Sequence, residues 1–93
     1  MQKFVIERTV PGAGQMDAAA LAAIATKSND VLQDLSPDIE WVHSYVTDDK
    51  ITCVYLAQNE GIIREHGKCG GFPVDAVLRV HEVIDPGTAE LVP

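Results

Sequence analysis

Ile39-Glu40-Trp41-Val42-His43-Ser44-Tyr45-Val46-Thr47, then Asp48-Asp49-Lys50, then Ile51-Thr52-Cys53-Val54-Tyr55-Leu56-Ala57-Gln58 is the stretch that decides the fold. Two runs rich in Val, Ile, Tyr, Trp and Thr, separated by an acidic turn signal, predict an antiparallel hairpin. Upstream of it, Leu21, Ile24, Ala25, Ser28, Val31, Leu32 and Leu35 recur at spacings of three and four, which builds one apolar helical stripe behind an N-cap at Asp17. Ser36-Pro37 stops that helix, because proline disfavours helical geometry in the residue before it. Further upstream, Lys3 to Arg8 alternates as a strand, and Pro11-Gly12-Ala13-Gly14 closes it with turn chemistry. Downstream of the hairpin, Asn59 can cap a second helix from about Glu60 to Lys68, closed at Gly70-Gly71 before Phe72-Pro73. A last strand runs from Ala76 to Ile84 and ends at Asp85-Pro86-Gly87.

The order strand, helix, strand, strand, helix, strand is that of the ferredoxin-like α+β sandwich. Right-handed crossovers place both helices on one face of a four-stranded antiparallel sheet. Successive strand side chains alternate sides, so parity decides which residues can meet. If even positions turn inward, Phe4, Ile6, Val42, Val46, Val54, Leu56, Leu78, Val80 and Ile84 pack beneath the helices. Trp41, His43, Tyr45, Cys53, Tyr55, Arg79 and His81 then share the open face with Val5 and Glu7. That face is aromatic enough to need cover, and a homodimer packed sheet to sheet is the expected assembly. The hairpin register has two solutions. A strict two-residue Asp48-Asp49 turn pairs His43 with Val54 and Ser44 with Cys53, which separates His43 from Cys53. A longer connection, or a bulge near Thr47, restores common parity and is preferred here because it buries the better apolar set.

Length bounds the organisation: 93 residues support one ferredoxin-like domain spanning 1–93, with no room for a second core. Hydrophobic content of 46% with seven Gly and five Pro is ordinary for a folded chain. Fourteen acids against seven bases give a formal net charge of −7, which repels phosphate backbones and anionic lipid surfaces. Nucleic acid and membrane are therefore excluded as expected partners. Met1 to Arg8 turns charged too early for a secretory leader, and no apolar run approaches the roughly 18 residues of a membrane span, so a cytoplasmic location is expected. Two cysteines are too few for a disulfide framework and match no zinc-finger spacing. The Gly-x-Gly of Gly12-Ala13-Gly14 lacks the third glycine and parallel context of a dinucleotide site and reads as a turn.

Phe4-Val5-Ile6-Glu7-Arg8 with Pro11-Gly12-Ala13-Gly14, the run Trp41 to Lys50, Cys53-Val54-Tyr55, Glu65-His66-Gly67, Gly71-Phe72-Pro73 and Ile84-Asp85-Pro86 together resemble the small bacterial nickel-binding proteins of ferredoxin-like fold. The resemblance spans nearly the whole chain and is most specific over Trp41 to Lys50. It implies a cytosolic homodimer that binds nickel, without an established reaction. His43, Cys53, His66 and Glu7 lie in segments that match the family pattern; His81 enters through its strand parity instead.

Thiolate and imidazole are the borderline-soft donors that divalent nickel, copper and zinc prefer, with a carboxylate filling a remaining position. His43, Cys53, Glu7, His66 and His81 are accordingly the candidate metal ligands, and the donor types suit zinc or copper as well as nickel. Each also has a plainer reading. Cys53 can pack as a small hydrophobe, His43 can bond across a dimer seam, and His66 can favour the dipole at a helix end. His81 can be a solvated residue, and Glu7 can pair with a neighbouring base. Three functions compete: a protein that sequesters or buffers nickel in the cytosol, a small dimeric α/β-barrel enzyme of isomerase or oxygenase type with His43 as general base, and a structural dimer without metal. The first is the expected one, with no catalytic residue assigned.

Overall fold

The computed structural model describes residues 1–91. It contains β1 (Gln2–Thr9), α1 (Ala18–Leu35), β2 (Ile39–Val46), β3 (Lys50–Ala57), α2 (Glu60–Gly70) and β4 (Ala76–Arg79), with short 3-10 turns at Ala13–Gln15 and Pro86–Glu90. The architecture is α+β: two helices on one four-stranded antiparallel sheet in the order β2-β3-β1-β4. No helix among the described residues is long and apolar enough to cross a membrane.

Local chemistry sets the boundaries. The Asp17 carboxylate accepts from the Ala20 amide and satisfies one of the orphan donors at the start of α1. Asn59 does the same for Ile62 at the start of α2. Gly71, at φ 70°, closes α2 in the left-handed conformation that a side chain would strain. Gly70 just before it is needed for a different reason: a Cβ there would meet the Phe72 ring at 2.3 Å, so its absence lets that ring fold back over the helix end. The last strand is shorter than the expected Ala76 to Ile84. It ends at Arg79, with one further backbone bond from Val80 to Lys3.

Parity along β1 is as expected, with Phe4 and Ile6 buried under the helices and Val5 and Glu7 on the other face. Along β3 it is reversed. Ile51, Cys53, Tyr55 and Ala57 are buried beneath the helices, while Thr52, Val54 and Leu56 lie on the helix-free side. The hairpin explains why. Thr47 bonds to Lys50 across Asp48-Asp49, and Val46 pairs with Ile51, Ser44 with Cys53 and His43 with Val54. This is the two-residue turn register, not the longer connection or Thr47 bulge expected from the apolar pattern. A bulge does occur, but between Trp41 and His43, beyond the histidine from the turn. It returns Trp41 to the inner face opposite Tyr55 and leaves Val42 exposed. Trp41 and Tyr55 are therefore inner-face residues, contrary to expectation, and Val42 is not core. In β4, Leu78 pairs with Val5 on the helix-free face and Arg79 with Phe4, again the reverse of the expected order.

The physical reason is that both sheet faces are apolar. Val5, Val54, Leu56 and Leu78 line one side as convincingly as Ile51, Tyr55 and Val77 line the other, so hydrophobicity could not choose between them. The choice follows the polar atoms of Cys53 and Tyr55, which lie inside among Arg8, Ser28 and His66.

Candidate functional site

The register divides the expected ligands between two sides of the sheet. Cys53 is only 4% exposed, and its sulfur accepts a hydrogen bond from Arg8 Nε at 3.4 Å. His43 faces away from it, exposed on the helix-free side, with its ring edge-on to Tyr45 at a centroid separation of 5.0 Å. A strand cannot send residues of opposite parity to one ion, so these two side chains do not share a site within a chain. His66 is 1% exposed under α2 and belongs to the Cys53 side. Glu7 lies on the His43 side, two strands away: it pairs with Thr52, which pairs with Tyr45. With strands about 4.8 Å apart and about 3.3 Å per residue, the Cα atoms of Glu7 and His43 are about 12 Å apart, too far for direct ligation of one ion. His81 is exposed beyond the end of β4. Among the described residues no three His, Cys, Asp or Glu side chains gather as a metal site. The five candidate ligands thus form no common cluster in one chain.

What the fold does assemble is a polar cluster between the sheet and the helices. β1 turns Arg8 inward at the end of its buried Phe4, Ile6, Arg8 series, and only 4% of the residue is exposed. Besides Cys53, its guanidinium donates from Nη1 to the Pro73 carbonyl at 2.7 Å and lies 5.6 Å from the Phe72 ring centroid, in cation–π range. Its Nη2 is buried and finds no protein acceptor. From α1, the Ser28 hydroxyl meets His66 Nε2 at 3.2 Å. The His66 ring stacks at 5.5 Å on Phe72 and lies at the same separation from Tyr55.

Neither the imidazole nor the phenol of this cluster carries a charge at neutral pH. Burial, reinforced by the Arg8 cation, lowers the His66 pKa to about 4, so the imidazole is neutral at pH 7. Burial, followed by the nearby Cys53, raises the Tyr55 phenol above its ordinary range and keeps it protonated. The only described ion pair, Arg64 with Glu60 at 2.8 Å, is on the exposed side of α2 and does not involve Arg8. Asp75, whose carboxylate is lowered chiefly by the bonds it accepts from Thr9 and to a smaller degree by Arg8, is itself exposed. Neither Arg8 nor Ser28 is among the site residues expected from the sequence. The signal was present: Arg8 continues the Phe4, Ile6 parity, and Ser28 is the one hydroxyl on the apolar stripe of α1.

A family model described as "Nickel responsive protein SCO4226-like" matches residues 4–80. The chain belongs to the SCO4226-like family. The match takes in Arg8, His43, Cys53 and His66 and stops one residue short of His81. No curated protein matches the chain. Among solved structures, the crystal structure of SCO4226 from Streptomyces coelicolor A3(2) is similar, with a TM-score of 0.74 at 12% identity over 88% of this chain and 99% of that one. At that identity the likeness is one of fold. The SCO4226-like family description thus carries nickel responsiveness, while this chain's own donors are split by its sheet.

Proposed function

We propose that the protein binds nickel through His43 on the helix-free face of the sheet, with a second copy of the chain completing the coordination, and so sequesters or buffers the metal in the cytosol. The observation that carries this reading is the placement of His43. It is the exposed imidazole within the family match, it stands on the face that neither helix covers, and Tyr45 is beside it. The family's description as nickel responsive supplies the metal. Imidazole nitrogen suits nickel but equally copper and zinc, so selectivity has to come from the geometry of the paired site.

The distances support a second copy, because the described residues of one chain offer no cluster. The same face supports its arrival. Tyr45 is 57% exposed and Leu78 52%, beside Val5 and Val54, an apolar surface of the kind a partner covers. The β2-β3-β1-β4 order with both helices on the other side supports a ferredoxin-like sandwich dimerising sheet to sheet. Glu7 of the second copy is then available as an oxygen donor, whereas Cys53 and His66 drop out of the ligand set.

The experiment titrates untagged protein with nickel, copper and zinc, reading bound metal by elemental analysis and mass by light scattering. Stoichiometric nickel on a dimer, lost in a folded His43→Ala variant, is the expected result. Unchanged nickel binding in His43→Ala refutes the reading.

A further inference from the structure

The polar cluster borders a cavity of about 320 Å³ between α1 and the sheet. Leu21, Ile24 and Ala25 of α1 form its roof, which is why the apolar stripe of that helix is only half-buried there. Trp41, Ile51 and Tyr55 form much of its floor, and Arg8 is among the residues that line it. The volume is at the lower end of small-molecule pockets, and a mostly apolar lining with a few convergent polar groups is their usual composition.

We propose that this cavity is a binding site for a small organic monoanion, a carboxylate on an apolar body, whose charged end is received by Arg8. A buried cation with no counter-charge is costly, and the cost falls when an anion with hydrogen-bonding oxygens is brought to it. Arg8 has that need and the means to meet it. Its Nη2 is buried and without a protein acceptor, while Nε and Nη1 are fixed by Cys53 and Pro73 and hold the guanidinium plane in place. A planar fork of this kind matches a carboxylate better than a spherical or tetrahedral anion. Ser44 Oγ, which accepts from Trp41 Nε1 at 2.9 Å, keeps its own proton to donate at the cavity wall. No acidic side chain lines the cavity, so one charge of the ligand is balanced and a second would not be. The apolar roof then takes the body of the molecule. The site is on the opposite side of the sheet from His43 and is independent of the metal reading.

The test is calorimetric titration of the full chain with octanoate and phenylacetate, which offer a linear and a flat apolar body, with octan-1-ol as the uncharged comparison and inorganic phosphate as the anion without a body. At least one carboxylate is expected to bind saturably, roughly tenfold or more tightly than the alcohol, the margin of a charge-assisted hydrogen bond. Phosphate is expected not to bind. Ala25→Trp, which fills the roof without touching Arg8, should abolish binding in a chain that circular dichroism finds folded, and Arg8→Lys should weaken it. Failure of both carboxylates to bind, equal affinity for octan-1-ol, or undiminished binding in folded Ala25→Trp overturns the proposal.

Discussion

Lowering the pH should destabilise this protein through His66 before most of its carboxylates are reached. The imidazole is 1% exposed and its pKa in the folded chain is about 4, against about 6.5 when unfolded. The unfolded state therefore binds the proton first. Stability is fully present above pH 6.5 and is lost as the pH falls from there towards 4, below which both states are protonated and no further loss comes from this group. A shift of that size corresponds to about 3.4 kcal/mol. The polar groups beside the ring, Ser28 and Tyr55, screen part of this, so about 2 kcal/mol is the working expectation, a large share of the 5–15 kcal/mol that holds typical domains together. The assay is urea denaturation of the wild type and of His66→Gln from pH 7.5 to 4. Glutamine keeps a polar contact for Ser28 and cannot titrate. The carboxylates are common to both proteins, so the difference between the two pH profiles isolates the histidine. Parallel profiles, or the assigned His66 imidazole resonance titrating near pH 6.5 in the folded protein, would refute the reasoning.

Other outcomes follow from single contacts. Gly70→Ala should cost about 1–3 kcal/mol in urea denaturation, because its Cβ would stand 2.3 Å from the Phe72 ring. Asp17→Ala should cost about 1 kcal/mol by removing the cap of α1, and Asp17→Asn should recover most of it. Of the two thiols, Cys69 should react with a disulfide reagent and Cys53 should remain protected until the chain unfolds, since the first is exposed and the second buried. Equal rates for both thiols in the folded protein would contradict the β3 register.

The sequence made the elements legible because their signals are local. Asp17 and Asn59 cap the helices, the Leu21 to Leu35 stripe faces the sheet, and the residues flanking Asp48-Asp49 form a hairpin. Which face of the hairpin turns inward was not legible in the same way. A shift of one residue exchanges every side chain between faces, and with Val54 and Leu56 competing against Cys53 and Tyr55 the apolar pattern is balanced. The deciding groups are Arg8, Ser28 and His66, which come together from β1, α1 and α2 and have no common signature along the chain. His43 was read correctly as outward-facing, and its separation from Cys53 follows from the two-residue turn, which pairs His43 with Val54 and Ser44 with Cys53; the bulge lies beyond it, between Trp41 and His43. The buried arginine was visible as a parity position, but a charged residue at a strand end reads as surface until a cavity is found beside it.

The central claim is that the metal is taken on the helix-free side of the sheet and the thiol has no part in it. Nickel retained by Cys53→Ser and by His43→Ala, each loaded, desalted and analysed beside the wild type with its fold checked by circular dichroism, tests this most directly. The account predicts wild-type nickel in Cys53→Ser and little or none in His43→Ala; loss in Cys53→Ser with retention in His43→Ala would contradict it.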